Sequence, residues 1–319
     1  MRAAVHNRYG PPDVVTIRQV LDPAPGPGEV LVRVEASTVC APDWRFRSAD
    51  PALIRLVIGL TGPARDKVLG FEFAGVVAGL GAGVTRFAIG DAVFGSAGTK
   101  MGAHADLLCV KDGPSICRSP ANLNPSEAAA LSYSGVTALH FLRAARAGPG
   151  QRVLVHGASG GVGTAMIQVA RALGATVTAV ASGPNLDFVR SIGAHAAINR
   201  ETTDFAAAGP VHDIVADCVG GAGLTACLRA TTSGGVVIQV NPTLADMAAG
   251  LWRGASRGIR VISGVALEKP GDLEQLAAWA AEGLVRPPIG RSFAFDDIVE
   301  AHRYAQSGAK RGHAAVIIG

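Results

Sequence analysis

The sequence is poor in aromatic residues and in charge. Only 5% of its 319 residues are aromatic and only 17% are charged, with 29 Lys and Arg against 25 Asp and Glu. A net charge of +4 over this length is too dilute to indicate a nucleic-acid partner. The 41 glycines are not periodic, which excludes collagen, and the 49% hydrophobic content excludes a disordered chain. We therefore expect a folded protein of two ordinary domains or one large one.

Cysteine is also scarce, and no pair has C-x-x-C spacing. The five cysteines are Cys40, Cys109, Cys117, Cys218 and Cys227. An odd, unpatterned set in a long chain argues against a disulfide framework or a structural zinc knot and predicts reduced thiols. The first residues lack the apolar core of a signal peptide, and the longest uncharged stretch, Val153–Ala170, is broken by glycines and is not expected to span a membrane. These features predict a cytoplasmic protein without a membrane partner.

The apolar pattern changes along the chain. Up to about residue 118, short alternating runs between Pro- and Gly-rich turns predict β-structure throughout. From residue 125, strands and helices are predicted to alternate, and β-structure returns at Arg291–Phe295 and Ala314–Ile318. The predicted strands of the alternating part are Arg152–His156, Thr176–Val180, Ala196–Ile198, Asp213–Val219, Val236–Val240 and Ile259–Ser263. This order is typical of an α/β fold with a doubly wound parallel sheet.

The segment from Val153 to Gly163 carries the most informative pattern. An apolar strand runs through Gly157-Ala158-Ser159-Gly160-Gly161-Val162-Gly163 into an apolar helical pattern. Glycine lets the backbone approach a pyrophosphate, and the helix N-terminus offers N–H groups and a positive dipole end. The strand before the turn and the helix after it supply the required context, so we predict a dinucleotide site.

The end of the next strand bears on the choice between NAD and NADP. An Asp or Glu about 20 residues after the loop usually binds the 2′-hydroxyl of the adenine ribose. Here the chain reads Val180-Ala181-Ser182-Gly183-Pro184-Asn185, and the first acid after Gly163 is Asp187. We expect NADP (NADPH) with Ser182 as a donor, and NAD is the alternative. A second interpretation is that Ser182-Gly183-Pro184 is only a turn.

Several further segments carry a family resemblance. They are Arg8-Tyr9-Gly10-Pro11-Pro12, Pro27-Gly28-Glu29-Val30-Leu31-Val32-Arg33-Val34, Leu69-Gly70-Phe71-Glu72-Phe73-Ala74-Gly75-Val76-Val77, Gly90-Asp91-Ala92-Val93-Phe94-Gly95 and Gly135-Val136-Thr137-Ala138. With the loop, they resemble the zinc-free branch of the medium-chain dehydrogenase/reductase superfamily, the quinone oxidoreductase-like proteins. The resemblance implies a central Rossmann domain at 119–269. It also implies a split, partly barrel-like GroES-like catalytic domain at 1–118 and 270–319, and a homodimer through the edge strand Ile259–Ser263.

The zinc-dependent alcohol dehydrogenases of the superfamily provide a chemical test. Their metal-ligand Cys lies in a segment that resembles Val39-Cys40-Ala41-Pro42-Asp43, and their ligand His lies in one that resembles Gly70-Phe71-Glu72. Phe71 cannot bind a metal, and a third ligand near Tyr133 is also missing. Catalytic zinc needs three protein ligands, so we predict no metal. Without a Lewis acid, a quinone or an enone is the expected acceptor, because its developing oxyanion needs only hydrogen-bond donors.

The resemblance assigns cofactor contacts residue by residue. Thr137 is expected at the nicotinamide, Ser182 and Asn185 at the adenosine 2′ position, and Arg200 beside the adenine. The predicted set is Thr137, Ser159, Gly160, Gly161, Val162, Ser182, Asn185, Arg200, Val219, Asn241, Lys310 and Arg311. Relatives often place Lys or Arg where this chain has Pro184, a departure that bears on 2′-phosphate binding.

Cys40, Trp44 and Tyr133 are the candidate substrate-pocket residues. Trp44 is expected either to stack on a planar acceptor or to pack in a core, and Tyr133 either to donate a proton or to face solvent at a helix start. Asp43 and Glu72 are expected to hold the fold through ion pairs rather than to act as acid or base.

The favoured function is NADPH-dependent, metal-free reduction of a small-molecule quinone or α,β-unsaturated carbonyl. No catalytic side chain is predicted, because positioning of the hydride donor against the acceptor would carry the reaction. Two alternatives stay open. One is an alcohol or aldehyde dehydrogenase, and the other is a non-catalytic nucleotide-binding protein.

Overall fold

The protein forms two compact units. The computed structural model describes residues 1–308 and 310–319, without the side chains of Leu53, Val57, Leu244 and Leu251. Unit 1 contains residues 1–133, 269–281 and 286–319, and unit 2 contains residues 134–268 and 282–285. Within these described ranges, no helix is both long and apolar enough to cross a membrane.

The first part of unit 1 is mostly β-structure. Its strands are β1 (Arg2–His6), β2 (Thr16–Gln19), β3 (Glu29–Thr38), β4 (Lys67–Val68), β5 (Glu72–Leu80), β6 (Ala92–Ser96), β7 (Leu107–Lys111) and β8 (Ile116–Arg118). Two helices, α1 (Ala41–Ser48) and α2 (Arg55–Ile58), interrupt the strands. Helix α1 corrects the prediction of β-structure throughout this part. It forms because Pro42 stands in its first turn and the Asp43 carboxylate caps the Cys40 N–H.

Strand β3 is the centre of the unit 1 sheet. It pairs antiparallel with β5 and β7, and Val30, Val32 and Val34 alternate as buried residues along it. Phe73 of β5 belongs to the same hydrophobic core. The period-two pattern therefore buries one face of the strand, as the sequence predicts.

Helix α3 (Pro125–Ala145) starts in unit 1 and ends in unit 2. It begins where predicted, because Asn124 and Glu127 cap each other's backbone N–H groups. The elements that follow are β9 (Arg152–His156), α4 (Gly161–Ala172), β10 (Thr176–Ala181), α5 (Leu186–Ser191), β11 (Ala196–Asn199), β12 (His212–Asp217), α6 (Leu224–Ala230), β13 (Thr231–Gln239), α7 (Leu244–Ala255) and β14 (Arg260–Ser263).

The predicted doubly wound sheet is confirmed. Its strands are parallel in the order β11-β10-β9-β12-β13-β14, so the order reverses between β9 and β12. Val153, Leu154 and Val155 are fully buried, as expected for a strand covered on both faces. Ligands of such sheets bind at the carboxyl edge beside the reversal point.

The chain then returns to unit 1 with α8 (Asp272–Ala281), β15 (Ile289–Ala294), α9 (Ile298–Gln306) and β16 (His313–Ile317). Strand β16 pairs antiparallel with β3, with Ala315 opposite Thr38. The Val39 N–H donates to the Ala314 carbonyl at 2.9 Å, so the pairing continues past the strand end. Continuing this register brings His313 opposite Cys40, which places residues just before β16 beside the start of α1.

Candidate functional site

The predicted dinucleotide loop joins β9 to α4 in unit 2. Gly160 is the N-cap of α4, and within the described residues no side chain caps this helix start. The first N–H groups of α4 can therefore serve a phosphate, and the helix dipole favours its charge. A Cβ at Gly163 would lie 2.2 Å from the Gly157 carbonyl oxygen, so only glycine lets α4 pack this closely on the turn.

Three predicted cofactor residues come together beside this loop. Nδ2 of Asn185 donates to Oγ of Ser182 at 3.0 Å and to Oγ of Ser159 at 3.4 Å. Ser159 lies in the glycine loop, and Ser182 and Asn185 follow β10. The hydrogen bonds thus link the pyrophosphate loop to the place where the adenine ribose is expected.

The fold also brings a carboxylate to the end of β10 that the sequence interpretation missed. Oε2 of Glu201 accepts a hydrogen bond from the Gly183 N–H at 3.1 Å. Strands β10 and β11 are parallel, with Ala181 opposite Asn199, so the residues after both strands meet at one edge. The side chain of Arg200 is exposed next to it. An acid directly after the third strand was the signal in the sequence that could have found this contact.

Asp217 anchors the turn after β12. Its carboxylate accepts hydrogen bonds from Nδ1 of His156 at 3.2 Å and from the N–H groups of Val219, Gly220 and Ala222 at 3.2, 3.0 and 3.0 Å. Burial acts to raise the pKa of Asp217, but these hydrogen bonds outweigh it and the pKa lies below its ordinary value. A charged carboxylate therefore holds the turn. Because a carboxylate can only accept hydrogen bonds, Nδ1 of His156 is the donor in the hydrogen bond between them.

The other predicted cofactor residues of unit 2 occupy two environments. Val219 is 52% exposed after β12, and Nδ2 of Asn241 donates to the Cys218 carbonyl at 3.0 Å beside it. Thr137, in contrast, is buried within α3. Arg311 also belongs to the predicted cofactor set, but it lies in unit 1, just before β16.

A second cluster of polar groups lies in unit 1, around the start of α1. The Cys40 thiol donates to Oδ2 of Asp43 at 3.1 Å, and the Cys40 N–H donates to the same oxygen at 2.8 Å. Oδ1 of Asp43 accepts the Gly70 N–H at 3.2 Å. Burial, followed by the negative charges of Asp43 and Glu72, raises the pKa of Cys40 well above its ordinary value. The thiol is thus neutral at pH 7, and both carboxylate oxygens of Asp43 are engaged.

Glu72, at the start of β5, is fully buried in the same cluster. It accepts hydrogen bonds from the Thr38 hydroxyl, from the Tyr133 N–H at 2.8 Å and from the Ser132 hydroxyl at 3.4 Å. Burial raises the pKa of Glu72 to about 7, against the effect of the Thr38 and Tyr133 hydrogen bonds. Among the described residues, hydroxyl, thiol and backbone groups are the hydrogen-bond partners of Asp43 and Glu72, and neither forms the expected ion pair.

Lys310 lies in the segment just before β16 and interacts electrostatically with this cluster. Its side chain is partly buried. Burial lowers the pKa of Lys310, and its electrostatic interactions with Cys40, Glu72 and Asp43 oppose that shift. The residue that resemblance assigned to the cofactor phosphates therefore lies in the electrostatic field of Cys40, which is a predicted pocket residue.

The predicted aromatic pocket residues are both partly buried. The guanidinium of Arg45 lies 5.3 Å from the centre of the Trp44 ring. Tyr133 lies well inside α3 and not at its start, and its ring contacts Phe71 edge-on, with centroids 5.4 Å apart. The Tyr133 ring therefore packs on protein rather than facing only solvent.

Comparisons with known proteins agree with this architecture. Residues 26–136 match the alcohol dehydrogenase GroES-like domain, and residues 192–316 match the zinc-binding dehydrogenase family. Quinone oxidoreductase from Rattus norvegicus is 29% identical over 338 residues, covering 100% of this chain and 98% of that protein. 2-Haloacrylate reductase from Burkholderia sp is 33% identical over 228 residues, covering 70% of this chain and 64% of that protein.

The structure of the quinone oxidoreductase from Coxiella burnetii is similar over 100% of this chain and 99% of that one, with a TM-score of 0.89 and 29% identity. The chain also matches polyketide synthases, but spans only a small part of them. For mycoketide-CoA synthase from Mycobacterium tuberculosis, the match is 37% identical and covers 70% of this chain and 5% of that protein.

The parallel sheet, the glycine loop and these matches define a member of the medium-chain dehydrogenase/reductase superfamily with a nucleotide-binding fold. Within that superfamily, the chain belongs to the quinone oxidoreductase-like proteins.

Because one matching family is described as zinc-binding, we tested whether these residues fit a catalytic zinc. The Cys40 thiol keeps its proton and donates to Asp43, and Phe71 stands where the second ligand would be. Across residues 1–308 and 310–319, no group of three or more His, Cys, Asp or Glu side chains is arranged to hold a metal ion. The donor set does not fit catalytic zinc, and metal-free activity stays a prediction.

Proposed function

We propose that this protein transfers hydride from NADPH to a quinone or an α,β-unsaturated carbonyl without a metal ion. The observation that carries the proposal is the packing of Phe71 against Tyr133 at the position of a zinc ligand, in a chain whose dinucleotide loop is intact. A site without a Lewis acid suits acceptors that are already electron-poor. The names of two relatives, a quinone oxidoreductase and a 2-haloacrylate reductase, support these two acceptor classes.

On the cofactor side, NADPH when bound supplies the hydride. The loop residues Ser159 to Val162 would hold the pyrophosphate at the start of α4. Ser182 and Asn185 would donate hydrogen bonds to the 2′-phosphate, and Arg200 would add a positive charge. Glu201 opposes this charge, so we propose a modest preference for NADPH over NADH rather than strict specificity.

On the acceptor side, Cys40, Trp44 and Tyr133 in unit 1 would line the pocket. Trp44 would stack on the planar acceptor, because its ring is only partly buried. We also propose that two chains form a homodimer through β14, which lies at the edge of the unit 2 sheet.

The test is a chelator-resistant reductase assay. Purified protein, treated with 1,10-phenanthroline and desalted, is mixed with NADPH and either 1,4-benzoquinone or 2-cyclohexen-1-one, and the rate without protein is subtracted. We expect NADPH oxidation with at least one acceptor, at the same rate as untreated protein.

Three results would contradict the proposal, and each identifies an alternative. Stoichiometric zinc with turnover of alcohols or aldehydes would indicate an alcohol dehydrogenase. Tight NADPH binding without turnover on any acceptor would indicate a non-catalytic nucleotide-binding protein. Activity with NADH alone would overturn the cofactor assignment.

A further inference from the structure

A cavity of about 200 Å³ lies within unit 1, where α1, α2 and β4 each contribute to its wall. Two of the residues that line it, Ala64 and Thr99, are exposed, so the cavity reaches the protein surface there. The predicted acceptor-pocket residues Cys40, Trp44 and Tyr133 are not among the described residues that line it. The cavity is therefore a candidate site of its own.

Most of the side chains that line the cavity are apolar, and three carry planar rings. The rings of His6 and Tyr9 have centroids 6.4 Å apart, and Phe46 of α1 lines the same space. Ile58 and the buried Met101 add further apolar surface. An apolar cavity of about 150 Å³ is large enough for one benzene ring. This cavity therefore has room for one aromatic ring with a small substituent.

The wall at Met101 is held in a strained conformation. Met101 has a φ of +56° and a ψ of −166°, a combination that residues other than glycine rarely adopt. Its N–H donates to the Gly98 carbonyl at 3.1 Å, and the following N–H, of Gly102, donates to the Leu69 carbonyl at 3.2 Å. Strain of this kind persists only where the surrounding structure fixes the backbone. The Met101 side chain is thus held in the wall, and the cavity is formed before a ligand enters.

Lys67, on β4, brings a cation to this cavity. Its Nζ donates to the Lys100 carbonyl at 2.6 Å, and Lys100 stands between the lining residues Thr99 and Met101. That hydrogen bond places the ammonium at the wall that residues 99–101 form. Among the described residues, the ammonium makes no other hydrogen bond and no ion pair. Since an ammonium has three N–H donors, two of them stay available for a ligand.

The charge at the cavity is not balanced by its own lining. Within the described residues, no acidic side chain lines the cavity. The carboxylate of Asp66, next to the lysine in the chain, is bound by Nδ2 of Asn7 at 3.0 Å and by Nη1 of Arg18 at 3.2 Å. The guanidinium of Arg55 lies 5.4 Å from the centre of the Tyr9 ring and adds a second positive charge. The cavity therefore favours an anionic ligand.

We propose that this cavity binds a small aromatic carboxylate, with the carboxylate on the Lys67 ammonium and the ring against the Tyr9 and Phe46 side chains. A hydrogen bond between an ammonium and a carboxylate is about twice as strong as one between neutral groups. The apolar wall removes the ring from water, which an aliphatic acid without a ring cannot exploit to the same extent. Binding is independent of the proposed hydride transfer, because the cavity and the glycine loop lie in different units.

The first test compares three probes on the wild-type protein by isothermal titration calorimetry. We expect benzoate, which has the ring and the charge, to bind with a Kd of about 1 mM or below. Benzyl alcohol lacks the charge and acetate lacks the ring, so each should bind at least about tenfold more weakly than benzoate. Absence of benzoate binding up to about 10 mM would overturn the proposal. Equal affinity for benzoate and acetate would also overturn it, because the ring would then contribute nothing.

The second test locates the carboxylate. Lys67→Met removes the charge and keeps a side chain of similar length, and the matched control Lys111→Met replaces an exposed lysine on β7. We expect Lys67→Met to raise the Kd of benzoate at least about tenfold, and Lys111→Met to leave it unchanged. Melting temperatures establish that both variants are folded. Benzoate affinity in Lys67→Met equal to that of wild type would show that the carboxylate binds elsewhere and would contradict the proposal.

A third measurement decides the question even if Lys67→Met does not fold. In wild-type protein with ¹³C-labelled methionine methyl groups, the ring protons of bound benzoate should show a nuclear Overhauser effect to the Met101 methyl group, because Met101 lines the cavity. The spectrum of Met101→Leu assigns that methyl resonance. Bound benzoate without an effect at Met101 would place the ring outside this cavity and would refute the proposal. NADPH oxidation is not measured in any of these tests, so failure of the proposed hydride transfer would leave their outcome unchanged.

Discussion

The side chain of Val219 lies directly over Gly157, the residue that turns the chain from β9 into the dinucleotide loop. A Cβ added at Gly157 would lie 2.7 Å from Cγ1 of Val219, and the φ of Gly157 is +74°, so only glycine fits there without strain. The turn after β12 thus packs on the start of the loop after β9. Since Asp217 holds that turn through the Val219, Gly220 and Ala222 N–H groups, its carboxylate also sets the position of the loop.

Replacing Asp217 by Ala should therefore impair both stability and cofactor binding. The substitution leaves several buried N–H groups without an acceptor, and we expect a loss of about 3 kcal/mol in the free energy of unfolding. The turn that carries Val219 would also relax, and the Kd of NADPH should rise about tenfold. Urea denaturation and fluorescence titration measure the two effects. Asp187→Ala, at an exposed side chain, should change neither, and wild-type NADPH affinity in Asp217→Ala would refute the positioning role.

A methyl group at Gly163 should separate α4 from the glycine turn. Its Cβ would lie 2.2 Å from the Gly157 carbonyl oxygen and 2.8 Å from the Ala158 Cα, and the backbone would have to shift. We expect Gly163→Ala to weaken NADPH binding at least tenfold, because the first N–H groups of α4 would move away from the phosphates. Gly148→Ala is the matched control, since a Cβ there meets nothing within 4 Å. Equal NADPH affinity in both variants would contradict this account of the loop.

Glu201→Gln should raise the preference for NADPH over NADH. The substitution keeps an oxygen that can accept the Gly183 N–H but removes a negative charge near the expected 2′-phosphate. A repulsion of about 1 kcal/mol corresponds to a change of about fivefold in the ratio of kcat/KM for the two cofactors. The exposed residue Glu282 provides the control, and Glu282→Gln should leave the ratio unchanged. A ratio in Glu201→Gln equal to that of wild type would place the carboxylate away from the ribose.

The buried His302 should make the protein less stable in acid. Nδ1 of His302 accepts a hydrogen bond from the fully buried Arg47 at 2.9 Å. Burial, followed by electrostatic interactions with His104, Arg47 and His6, lowers the pKa of His302 well below 6.5. The unfolded chain therefore binds more protons than the folded one. The neutral His302 therefore contributes fully to the free energy of unfolding above pH 6.5. As the pH falls below 6.5, this contribution decreases by about 1.4 kcal/mol per pH unit.

His302→Asn isolates this effect, because the Asn oxygen can still accept from Arg47. We expect wild type to lose about 1.4 kcal/mol more than the variant between pH 7.5 and pH 5.5, measured by urea denaturation. Glu72 has a raised pKa, so its effect on the free energy of unfolding has the opposite dependence on pH. That effect is the same in wild type and in His302→Asn, so it cancels when the two proteins are compared. An identical loss in the two proteins would show that His302 does not stay neutral.

The central sheet could be predicted because its signals are local. Strand β9 has the predicted bounds. Strand β13 starts at Thr231, five residues before its predicted start, because Gly234 and Gly235 interrupt the apolar run on which the prediction depended. Helix α1 was missed because its apolar residues have no helical period, and hydrogen bonds within Cys40–Asp43 start it instead.

The sequence by itself determined the class of fold, the dinucleotide loop and the missing zinc ligand at Phe71, since each depends on residues that are neighbours in the chain. Only the tertiary structure brought Glu201 to Gly183 and Lys310 into the field of Cys40, Asp43 and Glu72. The register of parallel strands decides the first meeting, and the antiparallel pairing of β16 with β3 decides the second. Such pairings join residues far apart in sequence, and no local pattern of side chains specifies which of them will meet.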